Sequence, residues 1–157
     1  MDQPVSVEKQ SFIVIGISVR TTNEGGQAGK DLGALWQRFM SEGIAAQIPG
    51  KSDSSVYCLY TEYEKDHTRP YTAVLGCAVK NLDKIPQGMS GYNVPGGHFA
   101  RFSSRGNLEE GMVFQAWTEI WNTDLSRAYT TDFEIYGEKA KDPKNAEVDI
   151  FVAVNKP

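Results

Sequence analysis

One apolar stripe occurs twice in this chain, and that repetition restricts the folds open to it. Leu32, Leu35, Trp36, Phe39 and Met40 return at the same spacing as Val113, Ala116, Trp117, Ile120 and Trp121. Steps of three and one place each set on one side of an α-helix, so each segment is an amphipathic helix with a single face to bury. The first is expected over residues 31–43, with Gly43 as its stop, and the second begins after the break at Gly106 to Gly111. Trp36 and Trp117 hold matching places.

Each stripe sits in the same surroundings. Before the first lies a β-branched run, Phe12 to Val19, too short for a helix. After it come residues 56–63 and 71–79, two strands of a hairpin around the polar turn 64–70. Residues 81–91, with Pro86, Gly88 and Gly91, read as a link between halves. The pattern then restarts. Residues 92–102 read as a strand interrupted by Pro95-Gly96-Gly97, which argues for an edge or a bulge near its start. Behind the second stripe lie a strand at 132–136, a charged turn at 137–145 and a last strand at 148–154, with Val148, Ile150, Val152 and Val154 in phase.

Two pseudo-repeats of strand, helix, strand and strand follow, at about 8–80 and 90–157, within one domain; 157 residues is about one domain's length. The expected class is α+β: a mainly antiparallel sheet, two helices on one face, and a ligand cleft between the repeats. If the apolar phase of the strands meets the helix stripes, the other face is open. Tyr60, Glu62, Glu134, Tyr136, Asp149 and Phe151 are expected there, together with Cys58. Cys77, in phase with Ala73, Leu75 and Val79, is then expected on the opposite face from Cys58.

Composition removes several function classes. A net charge of −4 with no basic run lacks the footprint of a phosphate-backbone binder, so no nucleic-acid partner is expected. No segment approaches the roughly 20 apolar residues of a membrane span, and the first ten residues lack a secretory pattern, so a cytoplasmic protein is expected. Two cysteines and two histidines, His67 and His98, lack metal-ligand spacing. Gly25-Gly26 fits neither a phosphate loop nor a dinucleotide fingerprint, and no cofactor is expected.

The segments 14–21, 92–102, 116–121 and 132–136, in this order and spacing, resemble the GyrI-like small-molecule-binding family, which includes effector-binding domains of AraC-type and drug-sensing transcription regulators. The resemblance covers nearly the whole chain and is nearest to stand-alone members carried on integron cassettes that bind cationic drugs. It implies a central cleft with Glu134 as its anionic centre. This chain departs from the pattern in two places. It has no attached helix-turn-helix, from which no direct DNA reading is expected, and Ala153 stands where relatives often carry Pro.

The residues agree with a cation site. Asp132-Phe133-Glu134-Ile135-Tyr136 alternates, so an acid sits among aromatics, where a carboxylate is costly unless a cation, a metal or a donor satisfies it. Glu134 is expected to supply charge and Tyr60, Tyr92, Phe99, Tyr136 and Phe151 aromatic area, with Tyr71 and Tyr129 as further walls. Trp36 and Trp117 pack the core or close the cleft's end. Asp149 is expected beside Glu134, and Cys58 holds in the first repeat the place of Glu134 in the second. The expected partner is a hydrophobic organic cation. Two rivals stand beside this reading: a small hydrolase in which Glu134 activates water with Tyr136 assisting, and a protein-interaction module of the gyrase-inhibitor type.

Overall fold

A computed structural model describes residues 3–157. In chain order the elements are β1 (Val5–Lys9), β2 (Phe12–Thr21), α1 (Gln27–Ser41), α2 (Ile44–Gln47), β3 (Val56–Thr61), β4 (Tyr71–Val79), β5 (Ser90–Val94), β6 (Gly97–Gly106), α3 (Met112–Trp121), β7 (Thr131–Tyr136) and β8 (Ala146–Val154). The class is α+β, and all eight strands join one antiparallel sheet in the order β1-β6-β8-β7-β3-β4-β2-β5. That order is symmetric about the β3–β7 seam, where Cys58 faces Glu134, Tyr60 faces Asp132 and Val56 faces Tyr136. A pseudo-twofold through the seam therefore exchanges Cys58 with Glu134 and Tyr60 with Tyr136.

The sheet cannot be flat. Six strand steps separate β1 from β2, which would be about 29 Å in a flat sheet. Only Gln10 and Ser11 connect them, a reach of at most about 11 Å. The sheet must curl until its ends approach each other. The same holds for β5 and β6, joined by Pro95 and Gly96 across the same gap. Here the interrupted strand expected at 92–102 resolves into two strands: β5 pairs with β2 in the first half and β6 with β1 and β8. Pro95, with no amide hydrogen, and Gly96, whose added Cβ would lie 2.7 Å from the Ser11 nitrogen, mark the transfer between edges.

Curling buries both faces. The inner face holds Val14, Leu59, Val74, Phe99, Phe133 and Phe151, with Phe133 and Phe151 stacked at 4.7 Å between ring centroids. The outer face carries the helices in two clusters. One contains Ile15, Ile17, Leu35, Phe39 and Leu75 under α1; the other contains Phe102, Ala116, Ile120, Ile150 and Val152 under α3.

This corrects the face assignment. Glu134, Cys58, Tyr60 and Tyr136 lie on the helix-covered face, not an open one, because the Leu59 and Phe133 phase is buried inside the curl without any helix. Glu134 faces Ile150 on β8, so Asp149 and Phe151 project to the opposite side. Phe99 and Tyr92 also belong to the inner face. Cys58 and Cys77 share the α1 cluster rather than opposing faces, and both are free and buried. Glu62 is exposed at the end of β3, in a left-handed conformation with φ 51°.

The close approach of β2 and β4 depends on two facing glycines. A Cβ on Gly16 would lie 2.1 Å from the Leu75 carbonyl oxygen, and one on Gly76 2.2 Å from that of Ile15. Gly16→Ala is expected to lower the unfolding free energy by about 1–3 kcal/mol through overpacking. Gly33→Ala, exposed on α1 with open space around it, is expected to raise it by about 0.4–1 kcal/mol. Urea denaturation of both variants checks the opposite signs.

Candidate functional site

Glu134 is 1% exposed at the middle of β7, under both helices. Neutral donors hold its carboxylate. Tyr60 Oη (2.7 Å) and Trp117 Nε1 (2.6 Å) donate to Oε2, and Tyr136 Oη (2.6 Å) donates to Oε1, with Cys58 directly opposite across the seam. A carboxylate has about four lone-pair positions, so the three donors fill most of them.

The aromatic residues cross between repeats. Trp117 of the second repeat packs edge-on against Tyr60 of the first at 5.3 Å, and Trp36 of the first against Tyr136 of the second at 4.9 Å. Tyr60 and Tyr136 accordingly touch both helix-side clusters. Trp36 and Trp117 pack the core and the seam at once.

Burial pushes the Glu134 pKa up, and the hydrogen bonds from Tyr136, Tyr60 and Trp117 pull it back only in part. The Tyr60 and Tyr136 phenols and the Cys58 thiol are all pushed well up, first by burial and then by neighbouring acidic groups, so they stay protonated.

Asp132, two residues earlier in the same phase, is also fully buried but is paired. Arg127 Nη2 donates to its Oδ2 at 2.7 Å, Tyr63 donates to the same oxygen, and the Ala153 amide donates to Oδ1 at 2.8 Å. Its pKa is raised by burial and held back chiefly by Arg127.

Beside this pair lies a cleft open to solvent, with about 60 Å³ of enclosed room. It is lined by Tyr60, Tyr63 and Tyr71, by Leu32 and Asn23 of the α1 half, and by Trp117, Trp121, His67 and Arg127. His67 stacks on Trp121 at 5.6 Å with the rings 8° apart, and Asn23 ties down the His67 carbonyl at 2.8 Å. The His67 pKa is lowered, by burial first and then by Arg127. Glu134 lies one layer behind, screened by Tyr60 and Trp117, both of which line the cleft.

Of the expected site residues, the structure brings together Glu134, Tyr136, Tyr60, Trp36, Trp117 and Cys58, with Tyr71 and Tyr129 nearby. It moves Asp149, Phe151, Phe99 and Tyr92 to the other face of the sheet. The residues that the sequence pattern did not single out are Asp132, Arg127, Tyr63, His67 and Asn23. Asp132 carried a signal, the same alternation that distinguished Glu134. The others sit in turns and loops or at a strand's end, where no periodicity applies.

A model of integron-associated effector-binding proteins matches residues 7–154. YobU of Bacillus subtilis (strain 168) is 32% identical over 145 residues, spanning 90% of this chain and 91% of YobU. The integron cassette protein VCH_CASS2, from the mobile metagenome of Vibrio cholerae, superposes with a TM-score of 0.77 at 32% identity, covering 98% of this chain and 97% of that one. SAV2435, solved bound to tetraphenylphosphonium, shares the fold with a TM-score of 0.81 at 17% identity, covering 98% and 94%.

The raised Glu134 pKa sets a pH dependence. The folded protein holds this proton more tightly than the unfolded chain, so the contribution is fully present below the ordinary value of 4.5 and is lost as pH rises through the raised value. Wild type is therefore expected to lose stability relative to Glu134→Gln over that window, by about 1.4 kcal/mol for each tenfold by which folding tightens the proton's binding. Asp132 titrates in both proteins and cancels. Denaturation series from pH 4 upward, a range spanning about the ordinary carboxylate value, measure the difference; a flat difference would show a carboxylate that folding leaves at its ordinary pKa.

Proposed function

The chain belongs to the integron-associated effector-binding family, and from that premise we propose that its small-molecule effector is a hydrophobic organic cation selected by the charge of Glu134. The observation that carries this reading is a buried carboxylate held by neutral donors, directly behind the aromatic wall of a cleft. The buried charges around the cleft are Glu134, Asp132 and Arg127; since Asp132 and Arg127 pair, the surroundings carry one net negative charge.

The physics favours large, charge-delocalised cations. At about 6 Å and an effective dielectric of about 20, a carboxylate attracts a unit positive charge by about 3 kcal/mol before desolvation. A small ammonium ion loses most of that gain on shedding its water. A cation spread over aromatic rings sheds little hydration and gains about 0.5–2 kcal/mol over the faces of Tyr and Trp. SAV2435, with the same fold, holds a cation of this kind.

Glu134 and Tyr136 are not arranged as a hydrolytic pair. Tyr136 spends its hydroxyl on the carboxylate, and Glu134 does not itself line the cleft, where Tyr60 and Trp117 stand in front of it. Sequestration or sensing of the ligand fits this arrangement better than chemistry on it.

Tetraphenylphosphonium is expected to bind, and Glu134→Gln, nearly isosteric, to weaken it by about 1–3 kcal/mol, roughly 5- to 150-fold. Binding should also release a proton at a pH near the raised carboxylate value, because the cation favours the ionised form. Calorimetric titration in two buffers of different ionisation enthalpy reads both quantities. Equal affinities for the two proteins would remove Glu134 from the role given to it.

A further inference from the structure

We propose that the imidazole of His67 holds the place of the ligand: it covers the face of Trp121 on which an aromatic ring of the ligand stacks, and binding displaces it. This inference rests on the cation reading above and names a subsite within it. The cleft as it stands is too small for such a ligand. A closed apolar cavity of about 150 Å³ takes one benzene, whereas the enclosed room here is about 60 Å³. A cation with several aromatic rings reaches the wall in front of Glu134 only if a lining group moves.

Most of the lining is fixed. Tyr60 and Trp117 are bonded to Glu134, Tyr63 and Arg127 to Asp132, and Leu32 and Trp121 belong to the helices. His67 differs. It stands half-buried in the turn between β3 and β4, with its ring 5.6 Å from that of Trp121 and 8° from parallel. Its Nδ1 has only long contacts, 3.2 Å to the Tyr129 hydroxyl and 3.5 Å to Arg127 Nη1. In the turn 64–70, Arg20 donates to the Pro70 carbonyl at 3.4 Å; among the described residues, every other hydrogen bond from the turn to the rest of the molecule is made by His67. Releasing one residue therefore frees the turn. The Glu64 amide bonds to the Pro70 carbonyl at 2.9 Å and Arg69 pairs with Glu64 at 3.0 Å, so the turn moves as one piece. It leaves β3 at Glu62, a non-glycine residue in the left-handed region, a form of strain that gathers at ligand clamps and switch segments.

The exchange favours a cation. Burial and Arg127 keep the His67 ring neutral, so its stack on Trp121 is that of an uncharged group. A ring that carries positive charge makes the same stack and adds the attraction of a cation to the indole face. An uncharged ring only exchanges one stack for another. Trp121 lies one helical turn from Trp117 on α3, so a ring seated on Trp121 is beside the wall that donates to Glu134.

His67→Ala tests the assignment, because a placeholder and a wall respond to it with opposite signs. By calorimetric titration the variant is expected to bind tetraphenylphosphonium about two- to ten-fold tighter than wild type, the worth of one aromatic pair that binding no longer has to break. Equal or weaker binding by the variant makes His67 part of the wall and overturns the proposal. A measurement on wild type alone decides the matter even if the variant does not fold. The His67 ring of the free protein titrates below the ordinary histidine value. Followed by proton NMR at saturating tetraphenylphosphonium, a displaced ring titrates closer to that value, whereas a ring left beside a bound cation titrates lower still. A fall, or no change, overturns the proposal. The chain's other histidine, His98 on β6, lies outside the cleft and is the internal reference. The cation reading fails separately, by tetraphenylphosphonium affinity that is equal in wild type and Glu134→Gln, both of which keep His67.

Discussion

A carboxylate buried without a cation is the constraint around which the seam of this protein is built. Transferring an ionised group out of water costs several kcal/mol even after the protein relaxes. Glu134 meets that cost with three donors drawn from three elements: Tyr60 on β3, Tyr136 on β7 and Trp117 on α3. Satisfying one charge thus fixes the register of the two central strands and the seating of a helix. α1 joins through Trp36 against Tyr136. The residues that surround this acid join the two halves on the helix side, as the Leu59 and Phe133 cluster joins them inside the curl.

The pseudo-twofold explains why there is one such acid and not two. It exchanges Glu134 with Cys58, directly opposite across the seam, where Cβ atoms lie about 4.5–5.5 Å apart. A second carboxylate there would force one of the pair to keep its proton. Cys58 is small and neutral and fits the α1 cluster. The same operation exchanges Asp132 with Val56, so the second repeat also supplies the other buried acid, which Arg127 neutralises. The repeats share their apolar framework and their tyrosines, and the second alone provides the buried acids.

Periodicity made the elements legible, because a 3.6-residue stripe with a matching tryptophan and runs of alternating residues are local facts. It could not say which face of a strand a helix covers. Leu59 and Phe133 had the apolar phase that ordinarily meets a helix, yet they fill the interior of the curled sheet, and the phase with Glu134 took the helices. That one reversal carried Asp149, Phe151, Phe99 and Tyr92 away from the site. The curl itself was written in the two-residue links Gln10-Ser11 and Pro95-Gly96, the second of which reads as an interruption until the strand order is known. Glu134 stood out because an acid among apolar residues is costly wherever it lies. Arg127 and His67 gave no such signal, since their places depend on loops closing over the cleft.

The wall of the cleft has two tasks that are physically linked. Tyr60 and Trp117 present their rings to the cleft and their polar hydrogens to Glu134. A cation arriving on the ring side favours the ionised carboxylate, and an ionised acceptor draws both donors more strongly than a protonated one. On the cation reading proposed above, ligand binding would tighten the contacts across the seam and stabilise the folded state, removing the part of the carboxylate's burial cost that raises its pKa. An effector of the wrong charge would gain the apolar area but leave that cost in place. Selectivity would then come from the seam as a whole, because the two repeats share the partners of Glu134.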